Sequence, residues 1–272
     1  MVKRNFGWMC LGIAVAASTA ANAEVRILSA ESDPSKPNYF TVNFPPELGG
    51  PQTADIVRTV FAISVDPDAE SASILSWYQQ VNPLLLGGVD TGNILVTLAD
   101  DSNGRFSQQD NMGEFITEEV YAVHFEGDLS QFGLESPFIV PSSSSGTVEF
   151  DGNGGGTISM DWGGEGQIGD FTFTYACAVN ATFDQAIDCN QVKKVSAKCR
   201  PNRVVAKAKT RNGVADGSLV VLQAADQMGG EPLAATVNNR KARAVFRNRT
   251  GAQTVSVLGD ADCPAAVEVD CP

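Results

Sequence analysis

Residues 148–162 read VEFDGNGGGTISMDW, with an Asp, an Asn and four glycines packed into the six positions from Asp151 to Gly156. Apolar side chains alternate on both sides of that centre, Val148 and Phe150 before it and Ile158, Met160 and Trp162 after it. Such alternation buries one face of a strand and wets the other. Glycine, Asp and Asn accept the left-handed backbone of a tight reversal. The stretch therefore predicts a β-hairpin. Its oxygens also make Asp151 and Asn153 candidate calcium ligands, but a calcium shell needs about six to eight oxygens, more than one loop supplies. The twelfth position counted from Asp151, where a helix-loop-helix calcium site requires Glu, is Trp162.

The same alternation recurs outward from the hairpin. Phe40, Val42 and Phe44 share a face, as do Val57, Thr59, Phe61, Ile63 and Val65. Ile94, Val96 and Leu98 follow, then Tyr121, Val123 and Phe125, then Phe171, Phe173 and Tyr175. Half-buried strands of this kind suit antiparallel sheets. One segment departs from the pattern. Asp66-Pro67-Asp68 offers a helix cap with proline at the first helical position, and Ile74, Trp77, Tyr78 and Val81 fall at helical spacing before Asn82-Pro83. A helix is expected there, and a second short turn over Asp128 to Phe132. The expected fold class is all-β: an antiparallel β-sandwich of jelly-roll type with minor helical insertions.

The chain opens with Lys3 and Arg4 ahead of an apolar run from Phe6 to Ala17 and an Ala21-Asn22-Ala23 ending. That is the pattern of a signal peptide over 1–23, which predicts secretion to the periplasm or the extracellular space. No later stretch reaches spanning length, so no membrane span is expected. Charge then divides the remainder of the chain. Residues 24–190 hold 25 Asp plus Glu against 4 Lys plus Arg, whereas 191–272 hold 7 against 13. A reversal of that size predicts an acidic domain over 24–190 and a basic one over 191–272.

Within 191–272, six short segments alternate or run apolar, separated by Asn212-Gly213, Met228-Gly229-Gly230 and Asn238-Asn239. These are hairpin signals. With a cysteine near each end, this third of the chain resembles the immunoglobulin-like sandwiches appended to many secreted bacterial proteins. It lacks the inter-sheet Cys, Trp, Cys spacing of immunoglobulin domains proper. Export makes disulfides the expected state of Cys177, Cys189, Cys199, Cys263 and Cys271. The expected bonds are Cys177–Cys189 and Cys199–Cys263, with Cys271 left over or in place of Cys263. Zinc is disfavoured by the absence of Cys-x-x-Cys and by a single histidine, His124.

Candidate sites arise from the acids. Asp100, Asp101 and Asn103 crowd oxygens before Gly104, and Asp66 to Glu70 holds three acids. Carboxylates without basic partners repel one another, which a divalent cation would relieve. His124 and Glu126 lie on the outward face of a strand, where the histidine is expected to be exposed. Glu118 with Asp161 or Glu149 is a candidate carboxylate pair for glycoside hydrolysis, although no spacing singles it out. No Gly-x-Ser-x-Gly is present. Lys207 and Lys209 share one basic strand face, and Lys241, Arg243 and Arg247 another.

The function these observations predict is a secreted, non-catalytic binding or structural protein of the bacterial envelope or extracellular space. Loops of the acidic domain would capture a carbohydrate or protein ligand, with calcium assisting and no cofactor required. Self-association of basic module with acidic domain is the alternative, and a carboxylate-dependent polysaccharide hydrolase the third. A net charge of −13 excludes nucleic acid as a partner.

Overall fold

In the computed structural model, residues 25–260 and 263–272 are described, the side chain of Asp101 apart, so the leader expected over 1–23 lies outside the described residues. Alternation in the first part of the chain becomes eleven strands. They are β1 (Arg26–Ser32), β2 (Tyr39–Asn43), β3 (Pro51–Asp66), β4 (Ser71–Val81), β5 (Leu85–Leu86), β6 (Val89–Asp90), β7 (Ile94–Gln109), β8 (Met112–Phe125), β9 (Phe138–Phe150), β10 (Gly155–Ile168) and β11 (Phe171–Ala186). The order β3-β4-β7-β8-β9-β10-β11 is antiparallel throughout. Strand β1 pairs with β3 on one side, Leu28 opposite Ile63, and with β11 on the other, Leu28 opposite Gln185. The eight strands thus close into a ring. β2 fills the same gap farther along, between Thr53 of β3 and Ala176 of β11 at Thr41.

This order corrects the jelly-roll expectation, because successive long strands are neighbours around the ring rather than partners brought together from distant hairpins. Alternation reports which face a residue takes, not which strand lies beside it. Correction also falls on the helix. Residues 71–81 are β4, and Asp66 caps a hairpin turn instead, its Oδ1 accepting from the N–H groups of Asp68 (2.9 Å) and Ala69 (3.0 Å). Opposite Ala62 and Ile63 the register slips, leaving Leu75 as an extra residue. A bulge shifts the inward phase by one, so Ile74 and Trp77 both point into the core at a separation that imitates a helix. A second bulge at Val57 turns that side chain out, 62% exposed, away from the face of Thr59, Phe61 and Ile63. Among the described residues the helical insertions are three single 3-10 turns, Pro46–Leu48, Ser130–Phe132 and Cys189–Gln191.

Aromatic rings fill the centre of the strand ring. Trp77, Tyr121 and Trp162 lie with centroids 5.7, 4.8 and 6.2 Å apart. Toward one end a small apolar hollow of about 80 Å³ is lined by Phe40, Leu84, Leu86, Leu129 and Phe173. That is roughly half the volume of an engineered cavity that admits benzene, so the interior is a packed core. No helix among the described residues is long and apolar enough to cross a membrane. The outer wall of β8 carries Glu114 and Glu118, unlike the apolar band of a lipid-facing barrel.

The remaining strands are β12 (Val192–Arg200), β13 (Arg203–Thr210), β14 (Leu219–Asp226), β15 (Gly229–Thr236), β16 (Lys241–Arg247), β17 (Gly251–Val257) and β18 (Val267–Cys271). One sheet has the order β12-β13-β16, and the other strands continue as β15-β14-β17-β18. Between them lies an apolar cluster that includes Val195, Val204, Ala206, Leu222, Phe246 and Val255. A single parallel pairing, Ala186 with Leu219, joins β11 to β14, so the sheets are mixed.

Disulfides link Cys189 with Cys263 and Cys199 with Cys271, while Cys177 is a free, buried thiol. The expected Cys177–Cys189 and Cys199–Cys263 bonds are therefore corrected, and Cys271 stands in place of Cys263. Cys177 lies mid-strand, facing inward beside Gln79, whose Nε2 is 3.2 Å from its sulfur. Nine further residues of extended chain, about 30 Å, separate it from the end of β11, far beyond disulfide reach. Each bond closes a loop of more than seventy residues, which in the chain-entropy model stabilises by about 4 kcal/mol. Burial pushes the Cys177 thiol far up. A thiol reagent added to unreduced protein lacking residues 1–23 should titrate no cysteine when folded and one in guanidinium. Any other count contradicts this connectivity.

Candidate functional site

The second region docks on the outer wall of the ring, and a surface trough runs from that seam on along the ring. Ile27, Ala62 and Ala186 of the wall meet Val221 in a small apolar cluster. Polar contacts surround it. Gln223 Nε2 donates to Ser76 Oγ at 2.7 Å, and Ser76 Oγ donates to the Gly230 carbonyl at 3.2 Å. Thr97 Oγ1 donates to the Met228 carbonyl at 3.1 Å. Gly229 is pressed so close that a Cβ there would stand 2.5 Å from Thr97 Cβ, and its φ of +110° is one that side chains avoid.

Charge locks the same seam. Glu231 of β15 accepts from Arg58 of β3 at 2.8 Å and from Arg249 at 3.1 Å, while Arg249 also reaches Asp226 at 3.0 Å and Arg58 reaches Glu31 at 2.8 Å. A shared carboxylate between two guanidinium groups is held from both sides, so its geometry is stiffer than that of an isolated surface pair.

His124 takes the outward direction that alternation predicts, yet it is only 5% exposed. The expected exposed histidine is corrected because the Met228-Gly229 turn of the second region covers that part of the wall. Its Nε2 lies 3.4 Å from Thr97 Oγ1. Burial lowers its pKa, partly offset by the Asp226 carboxylate. Glu126 does not act with it as a base partner. Instead Glu126 Oε2 accepts from the side chain of Asn93 at 2.9 Å.

Two adjoining hollows make up the trough and share Val57 and Gln80. The larger, about 900 Å³, runs past Asp33, Lys36, Asn38, Tyr39 and Asp55. The smaller, about 450 Å³, lies under Tyr78, Asn93, His124, Asn248 and Arg249. The interruption between β1 and β2 creates the first. There Asn38 Oδ1 accepts from the Asn180 N–H at 2.7 Å and its Nδ2 donates to the Asp33 carbonyl at 2.9 Å, pinning the excursion over 33–38. Alternation identifies none of these residues as a site. Only a proline on each side of Ser35-Lys36 hints that the strand breaks.

The acids singled out in the sequence do not gather. Asp151 sits at the β9–β10 turn, where its Oδ1 accepts from the N–H groups of Asn153 (2.7 Å) and Gly155 (3.0 Å), and those bonds lower its pKa. Asp100 and Asn103 lie within β7, level with Val120 and Glu118. Glu149, beside the turn, is level with Met112, eight residues from Val120 along β8. That spacing is about 26 Å. The side chain of Asp101 lies outside the described residues. Among the described residues no group of three His, Cys, Asp or Glu side chains is placed to hold a metal ion.

Nor does the hydrolase pair assemble. Glu118 is level with Ser143 and Gly163, two residues from Asp161 and two strands away, a separation of about 12 Å by strand spacing. That is a backbone distance, and the two side chains line different surface hollows, Glu118 with Pro141 and Gly163 and Asp161 with Glu114 and Ser145. Glu149 is farther still. The carboxylate that sequence reasoning passed over is Glu119, which points into the ring in phase with Tyr121 and accepts from Ser144 Oγ. Burial raises its pKa, and neighbouring hydroxyls offset this in part.

The described residues thus define a class: an all-β protein in which a closed antiparallel ring is docked against a second, disulfide-bonded pair of sheets. Compared with known protein families, with curated proteins and with solved structures, the chain matches none of them.

Two pH effects are expected. His124 is depressed in the folded state, so its contribution is complete above the ordinary histidine value and is lost as pH falls through about 6.5. His124→Asn should flatten the loss of melting temperature between about pH 7 and 5, on a scale of about 2–4 °C per kcal/mol. Glu119 is raised, so its contribution is complete at low pH and is lost as pH climbs from about 4.3 through the raised value. Glu119→Gln should gain on the parent protein as melting is followed from about pH 4 to pH 8.

Proposed function

We propose that this protein is an exported, non-catalytic binding protein that holds an extended polar ligand of the carbohydrate class in the trough over β3 and β4. The observation that carries the reading is the lining of that trough. Tyr39, 44% exposed, stands with Val57 among amides and carboxylates along two hollows that run into one another. Aromatic faces offer apolar area to the C–H surface of a sugar ring, and fixed amides and carboxylates take its hydroxyls. The smaller hollow is lined from both regions, and pockets of this size occur preferentially where two structural units meet. Export is supported by the two disulfides and the leader pattern. Absence of turnover is supported by the candidate carboxylates Glu118 and Asp161 lining different surface hollows. Calcium has no part in this binding mode.

The finer architecture belongs to the same reading. Residues 24–190 and 191–272 act as two domains, and the second is an immunoglobulin-like sandwich. Its support is the strand order, three strands facing four over one apolar layer.

Affinity electrophoresis through a panel of soluble plant, bacterial and algal polysaccharides tests the binding. At least one should retard the mature protein, and Tyr39→Ala or Gln80→Ala should weaken that retardation about ten-fold without changing the melting temperature. Retardation that both variants retain would move the site elsewhere. New reducing ends during incubation would overturn the non-catalytic reading.

A further inference from the structure

The charged residues on the outward face of the sheet β12-β13-β16 are all basic. In register, Lys194, Lys209 and Lys241 form one row across the three strands, and Lys207 stands beside Arg243 in the next. At the far end Arg200, Arg203 and Arg247 form another. Like charges directly opposite one another across strands are destabilising. No Asp or Glu lies on these strands. Among the described residues the ion pairs are made by Arg58 and Arg249 alone, so these rows have no salt-bridge partner. Between the rows the buried Val205 stands beside the half-buried Val245.

The complement lies on the same chain. From residue 106 to residue 192 there is no Lys or Arg, and fourteen Asp and Glu. That segment supplies β8, β9, β10 and β11, half of the ring. On its outer wall Ile116 is 62% exposed and sits level with Ser145 and Asp161, flanked along β8 by Glu114 and Glu118. The wall carries acids on β8 and β10, with Arg105 of β7 level with Ile116, and its prevailing charge is opposite to that of the basic sheet, the complementarity that steers protein contacts.

The two surfaces cannot meet within one molecule. The second region touches the ring through β14 and β15, which lie against β1, β3, β4, β7 and the end of β11. Ring order sets β9 and β10 across from β3 and β4. The acidic wall therefore faces away from the molecule's own basic sheet. We propose that the basic face of β12-β13-β16 docks on the β8–β10 wall of a second copy, making a heterologous head-to-tail contact. Contacts of that type propagate into chains or rings rather than stopping at a two-fold dimer. Electrostatic complementarity supplies the orientation and the encounter rate.

Sedimentation velocity of the mature protein tests this, at about 10 mM and about 1 M salt, where the Debye length falls from about 30 Å to about 3 Å. Oligomers should grow with protein concentration at low salt and revert to monomer at high salt. Lys207→Glu with Arg243→Glu should raise the association Kd about ten-fold or more, and Glu114→Lys with Glu118→Lys should do the same. Melting curves confirm that each pair folds. An equimolar mixture of the two variant proteins should associate again, since the retained basic face meets the retained acidic wall and the two reversed faces are once more opposite in charge. A monomer at all salts and concentrations overturns the proposal. So does association that the acidic-wall variants leave intact. Capture of dextran sulfate, lost only in the basic-face variants while the parent protein stays monomeric, would assign that face to a foreign polyanion instead.

Discussion

The double pairing of β1 is the constraint on which the rest of the molecule depends. An open sheet of long strands would present two edges of unpaired N–H and C=O groups, costly if buried and adhesive if exposed. By hydrogen bonding to β3 on one side and β11 on the other, β1 removes both edges at once. Everything inside the ring is then cut off from water, which requires the aromatic packing of Trp77, Tyr121 and Trp162 and explains the raised pKa of Glu119. Everything outside must be soluble, and this chain meets that demand with acids. Where β1 stops and β2 resumes, the wall is interrupted, and the trough begins at that interruption.

Closure also decides how the second region is held. An edge strand would have offered backbone pairing along its length. A closed wall leaves only side chains and a strand end, so β14 takes one residue of pairing from β11 at Ala186, and the remaining grip comes from a small apolar patch and the Arg58–Glu231–Arg249 bridge. A seam made this way is wide and shallow at its margins. That geometry is what makes room for hollows lined by Tyr78, Asn93 and His124.

Strand content and inward direction were legible in the sequence, because burial of one face imposes a period of two on residues such as Tyr121, Val123 and Phe125. The misread segment shows where that logic stops. A bulge at Leu75 advances the phase by one residue, so Ile74, Trp77 and Val81 acquire the spacing of a helix while remaining in a strand. Periodicity cannot separate these two causes, since each puts apolar side chains three or four residues apart. His124 failed differently. Its direction was readable, but its cover comes from Met228 and Gly229, more than a hundred residues away, and no local pattern records a neighbour at that distance. The trough shared both faults, being made of side chains that are ordinary one by one.

The sequence by itself determined the all-β class, the hairpin at Asp151 and the reversal of charge near residue 190, since each is a property of neighbouring residues and needs no partner. Tertiary structure alone decided ring closure, the pairing of Cys199 with Cys271, the separation of Asp100 from Asp151, and the distance between Glu118 and Asp161. These depend on register and on which strands lie side by side. The energies that set them come from long-range backbone pairing and core packing, summed over the whole ring, and no short stretch of the chain contains that sum.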